Sequence, residues 1–141
     1  FVVKNGSKIK GWSSLEMPNL PNENYVIAVI HRNHLGLATI NSIRLEFPFA
    51  AVNFSDTSST AVPLTSAYEI QGGFRVMLSG DASADGQINA VDKNAFFRIE
   101  NGNTGYENAD FNLDGKVDNQ DLDYWKKNIS KQSECMNCYE P

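Results

Sequence analysis

The stretch Asp110-Phe111-Asn112-Leu113-Asp114-Gly115-Lys116-Val117-Asp118-Asn119-Gln120-Asp121 sets four carboxylates and the Asn112 amide in a short loop, mostly at alternate positions. Like charges at this spacing repel one another and are costly to desolvate. A cation held among them would remove both costs. Calcium takes six to eight oxygen ligands, and a twelve-residue EF-hand loop supplies them from positions 1, 3, 5, 7, 9 and 12, with Gly at position 6 for a sharp turn. Here those positions are Asp110, Asn112, Asp114, the main-chain carbonyl of Lys116, Asp118 and Asp121, with Gly115 sixth.

The pattern occurs twice. Asp81 lies 29 residues before Asp110 and opens a second set: Asp81, Ser83, Asp85, the carbonyl of Gln87, Asn89 and Asp92, with Gly86 sixth. Ile88 and Val117 occupy position 8, where two apolar residues can face one another across a short bridge joining the loops. The spacing therefore predicts two calcium sites. A bland alternative makes Asp92 and Asp121 helix N-caps in metal-free acidic turns, but it leaves positions 3, 5 and 9 without a reason. Magnesium fits less well, because it prefers a smaller octahedral shell. The second loop offers four carboxylates against three in the first, so it is expected to bind more tightly.

A helical pattern follows each loop. Lys93–Glu100 runs toward Asn101-Gly102, and Leu122–Asn128 follows the second loop. Phe96 and Trp125 are equivalent under the repeat and are expected to share a small core. Phe74–Leu78, ahead of the first loop, is strand-like, so there is no entering helix and no helix pair to swing open. Metal is expected to build this fold rather than switch it.

Residues 1–79 have a different grammar. Strand candidates are Phe1–Lys4, Lys8–Trp12, Tyr25–Arg32, Leu37–Phe47, Ala50–Phe54 and Phe74–Leu78, rich in Val, Ile, Phe and Tyr. Clusters such as Asn5-Gly6-Ser7 and Gly72-Gly73 mark turns between them. Many short strands suggest an Ig-like β-sandwich, one that begins inside a strand at Phe1 and is thus expected to be truncated. The expected division is a β-sandwich-like part over 1–79, a small α-helical calcium module over 80–131, and a tail over 132–141.

Charge follows the same division. Residues 80–134 carry eleven Asp or Glu against six Lys or Arg, while residues 1–79 carry five against six. An acidic module without clustered Lys and Arg argues against nucleic acid as a partner. No apolar run reaches the roughly 20 residues of a membrane span. His31 and His34 flank Arg32-Asn33 with no third metal or catalytic partner in view, so a structural role is expected. Cys135 and Cys138 form a C-x-x-C. A local disulfide is favoured in an oxidising compartment, zinc would need two further ligands, and a redox role lacks its βα context. No nucleophile elbow, phosphate loop or carboxylate pair is left over once the loops are assigned, so the chain is expected not to be an enzyme.

The paired loop–helix units of 80–128, with the Gly105-Tyr106-Glu107-Asn108-Ala109-Asp110 lead-in, resemble the type I dockerin family. That resemblance covers about a third of the chain. It implies a secreted calcium-binding module that attaches its protein to a cohesin domain on a scaffold. Dockerins usually carry small hydroxyl residues at loop positions 10 and 11, whereas this chain has Ala90-Val91 and Asn119-Gln120. Over about residues 24–131, the Tyr25-Val26-Ile27-Ala28-Val29-Ile30-His31-Arg32-Asn33-His34-Leu35 run and the Trp125-x-x-Asn128 ending also look like C-terminal regions of large secreted Bacteroidetes surface proteins, often labelled hemagglutinin-like or adhesin-like. The expectation is a calcium-stabilised, non-catalytic, extracellular or cell-surface module supporting adhesion or protein–protein contact, with a cohesin-like domain, another protein or a surface glycan as partner. Two alternatives stay open: a true dockerin in a cellulosome-like assembly, and an accessory region of a secreted glycoside hydrolase.

Overall fold

The computed structural model describes residues 21, 23–39, 41–44, 53–58 and 67–133. It contains several short antiparallel β-hairpins followed by two short helices. The strand candidates Phe1–Lys4 and Lys8–Trp12, the Asn5-Gly6 turn and both cysteines lie outside the described residues.

The strands are β1 (Asn24–Tyr25), β2 (Ala28–His31), β3 (His34–Ala38), β4 (Ile43–Arg44), β5 (Tyr68–Gln71) and β6 (Phe74–Met77). They pair as β1–β4, β2–β3 and β5–β6, all antiparallel and each a two-stranded sheet. Among the described residues these ladders do not assemble into the two packed sheets of a sandwich. Three strand expectations need correction. Tyr25–Arg32 is interrupted at Val26-Ile27. The strand expected from Leu37 begins at His34 and ends at Ala38, because Arg32-Asn33 is a tight turn with His31 paired to His34. Tyr68–Gln71, not expected as a strand, pairs with β6 across Gly72-Gly73, whose φ values of +56° and +84° suit a two-residue hairpin turn.

The first helix, α1, winds as a π-helix over Asp92–Phe97 and continues as a turn of α-helix over Arg98–Glu100. The second, α2, is α-helical over Asn119–Asn128. The difference has a cause in the repeat. Equivalent loop residues are 29 apart, but beyond the helices Gly102 corresponds to Ser130 and Thr104 to Gln132, 28 apart. The first unit therefore holds one extra residue in its helix, and wider π turns absorb it without moving either end.

A single core joins hairpins to loops. Leu35, Leu37 and Leu78 pack with Ile88, Phe97, Phe111, Val117 and Trp125, and Phe96 packs partly buried against them. Main-chain bonds tie the hairpins to each other and to the first loop: Leu35 N donates to Leu78 O (2.8 Å), and Gly80 N to Asn33 O (3.0 Å). Among the described residues no helix is long and apolar enough to cross a membrane.

Candidate metal-binding loops

The two acidic loops have one backbone course. Position 4 is left-handed in both, Ala84 at φ +55° and Leu113 at +62°, and so is position 6, Gly86 at +81° and Gly115 at +86°. Glycine adopts this region without the Cβ penalty that other residues meet.

The main-chain hydrogen bonds to the side chains at positions 1, 5, 9 and 12 repeat between the two loops. Asp81 Oδ1 accepts from Asp85 N (3.1 Å) and its Oδ2 from Gly86 N (3.0 Å); Asp110 accepts from Asp114 N and Gly115 N, both at 3.1 Å. Asp85 Oδ1 and Asp114 Oδ1 accept from Gln87 N and Lys116 N, each at 2.9 Å. Asn89 Oδ1 and Asp118 Oδ1 accept from Val91 N and Gln120 N, each at 2.7 Å. Asp92 takes Ser83 N (2.9 Å) and Asn89 N (2.8 Å), while Asp121 takes Asn112 N (3.1 Å) and Asp118 N (2.9 Å). Asp118 and Asp121 thus form a capping box for α2. The bland alternative put Asp121 at the N-cap, but it stands at the third helical position and Asp118 is the cap.

The bridge expected between Ile88 and Val117 is not formed. Each instead pairs with the segment that follows the other unit's helix. Ile88 N donates to Lys131 O (2.9 Å) and Val117 N to Asn103 O (3.0 Å). Ser130 N donates to Ile88 O (2.9 Å) and Gly102 N to Val117 O (2.8 Å). Ser133 N donates to Gly86 O (2.8 Å) and Gly105 N to Gly115 O (2.9 Å). The exchange is reciprocal, so each loop is braced by the other unit. Both apolar residues are buried in the shared core.

The electrostatics of the loops are set by burial. Asp81, Asp92, Asp110 and Asp121 are all buried. Among the described residues no Lys or Arg forms an ion pair with Asp81 or Asp92; Asp110 has Arg32, with Nη2 at 4.0 Å from Oδ2. Burial pushes the Asp81 carboxyl up to about 6, against the hydrogen bonds of Gly86 and Asp85, and the neighbouring Asp92 charge adds to the rise. Burial likewise raises Asp121, opposed by the amides of Asp118, Asn112 and Phe111 and aided by the charge of Asp110. The main-chain bonds stabilise these carboxylates but do not saturate them, since a carboxylate has about four lone-pair sites.

The remaining proposed ligands lie in the same loops. Ser83 Oγ is 2.8 Å from Asp92 Oδ1, and Asn112 Nδ2 is 3.0 Å from Asp114 Oδ2. Gln87 and Lys116 sit at the bridges to Gln132 and Thr104. Among the described residues no group of three or more His, Cys, Asp or Glu side chains stands close enough to hold a metal. The donor set is broader than those types: Ser83, Asn89, Asn112 and two main-chain carbonyls fill five of the twelve places. Its chemistry, all oxygen and strongly anionic, suits a hard cation such as calcium.

Two residues of the site were not expected to touch the loops. Asn33, in the β2–β3 turn, reaches both loops from more than forty residues away, and Arg32 beside it reaches the second. Arg32 also lies under the Tyr106 ring, 3.6 Å from its centroid. His31 and His34 stack edge to face with centroids 4.6 Å apart. Burial, with the charges of His31 and Arg32, holds His34 down to about 4. Compared with protein-family models, curated proteins and solved structures, the chain matches none.

Proposed function

We propose that residues 80–131 are a dockerin-like module that holds two calcium ions and serves, without catalysis, as a stabilised part of a secreted or cell-surface protein. One observation carries the reading: two loops with the same oxygen-bearing positions, the same turn and matching hydrogen bonds bury four carboxylates, three of them without a cationic partner among the described residues. Asp81, Ser83, Asp85, Gln87, Asn89 and Asp92 would hold one ion, and Asp110, Asn112, Asp114, Lys116, Asp118 and Asp121 the other. The ion supplies positive charge that makes burial of these carboxylates favourable, so binding and folding are linked. The sandwich-like reading of 1–79 belongs to the same proposal, supported by the hairpins there and their shared core with the loops.

The module's work is adhesion or attachment through protein–protein contact. A narrower reading, docking onto a cohesin, draws on exposure: Ala90, Val91, Asn119 and Gln120, at positions 10 and 11 of the loops, are all exposed. Thermal melts with calcium and with chelator test the first reading; a rise in Tm with calcium is expected, and equal melts would contradict it. A pull-down against a cohesin panel tests the second, which fails if no cohesin is retained in calcium.

A further inference from the structure

We propose that Asn33 is a positioning residue that couples the two loops to each other; the inference rests on the calcium reading above. Asn33 is fully buried in the β2–β3 turn. Its main-chain oxygen accepts from Gly80 N (3.0 Å) and Asp81 N (3.2 Å), at the start of the first loop. Its side-chain Nδ2 donates to Asn108 O (2.9 Å) and Asp110 O (2.7 Å), at the start of the second. Asp81 and Asp110 are the two position-1 residues. Among the described residues no other residue hydrogen-bonds to the main chain at both.

The amide has one orientation consistent with its neighbours. Two carbonyl oxygens require Nδ2 on their side, which leaves Oδ1 facing His34 Nδ1 at 2.7 Å. That nitrogen therefore carries the proton, and the imidazole locks the amide in place. Both amide hydrogens and both lone pairs of the main-chain oxygen are engaged, so Asn33 cannot shift toward one loop without loosening its hold on the other. A cation that fixes the first residue of one loop fixes Asn33, and a fixed Asn33 leaves the other loop less disorder to lose on binding. That is positive coupling. The reciprocal main-chain bonds between the units also couple them, so Asn33 adds to a linkage rather than supplying all of it.

The test is a calcium titration of chelator-stripped, ¹⁵N-labelled protein, with the amide signals of Gly86 and Gly115 reporting the two loops separately. In the native protein both signals move together with a Hill coefficient greater than one. Asn33→Ala is expected to separate the curves and lower the coupling about fivefold, a modest share of the usual range for coupled sites. Asn33→Ser, polar but too short to reach Asn108 and Asp110, is expected to behave alike and serves if the alanine variant does not fold. Leu37→Ala is a control that weakens the same hairpin through packing; its Tm falls but its coupling stays. Coupling within twofold of native in both Asn33 variants, or an equal loss in Leu37→Ala, would overturn the proposal. A native protein in which neither glycine responds to calcium would instead overturn the calcium reading and this inference with it.

Discussion

The indole Nε1 of Trp125 donates to the main-chain oxygen of Asn89 at 2.9 Å, tying the middle of α2 to the ninth position of the first loop. The ring itself is buried in the core that both units share. A change in the first loop therefore reaches an aromatic side chain on the second helix.

Trp125→Phe keeps most of the packing and deletes this bond. A loss of about 1 kcal/mol is expected, because the partly buried oxygen is left without its donor. The calcium-dependent change in tryptophan fluorescence should disappear in this variant, since the other tryptophan is Trp12, outside both loops. Denaturant titration and emission spectra check the two effects separately.

Arg32 places a positive charge 4.0 Å from Asp110 Oδ2, where it would compete with the cation proposed there. The first loop has no such competitor among the described residues. Arg32→Gln is expected to tighten the second loop roughly tenfold at low salt, well below the unscreened Coulomb limit at this distance, and to leave the first unchanged. Single-site calorimetry on Asp81→Asn and Asp110→Asn backgrounds assigns the change to its loop.

Gly80 and Gly115 both have positive φ but differ in surroundings. A Cβ on Gly80 (φ +128°) would meet Ile88 Cγ2 at 3.0 Å, whereas one on Gly115 (φ +86°) would meet nothing within 4 Å. Gly115→Ala is expected to cost about 1 kcal/mol of backbone strain. Gly80→Ala adds overpacking and is expected to cost about 1–3 kcal/mol more. Chemical denaturation of the two variants gives the order.

His34 imparts an acid sensitivity of definite sign. Its folded-state value is held down to about 4, below the 6.5 of a free imidazole, so between these values the unfolded chain binds the proton first. Stability from this group is fully present above pH 6.5 and is lost as pH falls toward 4, on the order of 3 kcal/mol in total. His31 and Arg32 disfavour the charged ring, while Glu69, which lines the same cavity as His34, is bonded to Lys127. Asp81 acts with the opposite sign in chelator: its carboxyl is raised to about 6, so protonation there favours the folded state. Comparing native protein with His34→Gln at each pH cancels the Asp81 contribution. The gap between them should narrow or reverse from pH 7 to 5.

The loops were legible in the sequence because their chemistry is local. Alternate oxygen-bearing residues, Gly at position 6 and an apolar residue at position 8 all act within twelve positions, and the doubled register made the pattern specific. What lay beyond that reach was not legible. The partner of Ile88 is a segment past the other helix, so a symmetric loop-to-loop bridge looked equally good from spacing alone. The π turns of α1 follow from one extra residue visible only when segments beyond both helices are aligned. His31–His34 read as a strand end, although Arg32-Asn33 is a turn whose Asn side chain bonds 75 and 77 residues away. In the hairpins, short strands with few alternating residues left register and boundaries to tertiary contacts.

The decisive measurement is calorimetric calcium titration of chelator-stripped protein, with far-UV circular dichroism before and after. Two binding events accompanied by a gain of helical signal are expected, because the cation makes burial of Asp81, Asp92, Asp110 and Asp121 favourable and the loops then seat α1 and α2. Absence of binding at millimolar calcium would contradict the calcium reading and leave the repeated carboxylates as helix-capping and turn-forming groups alone.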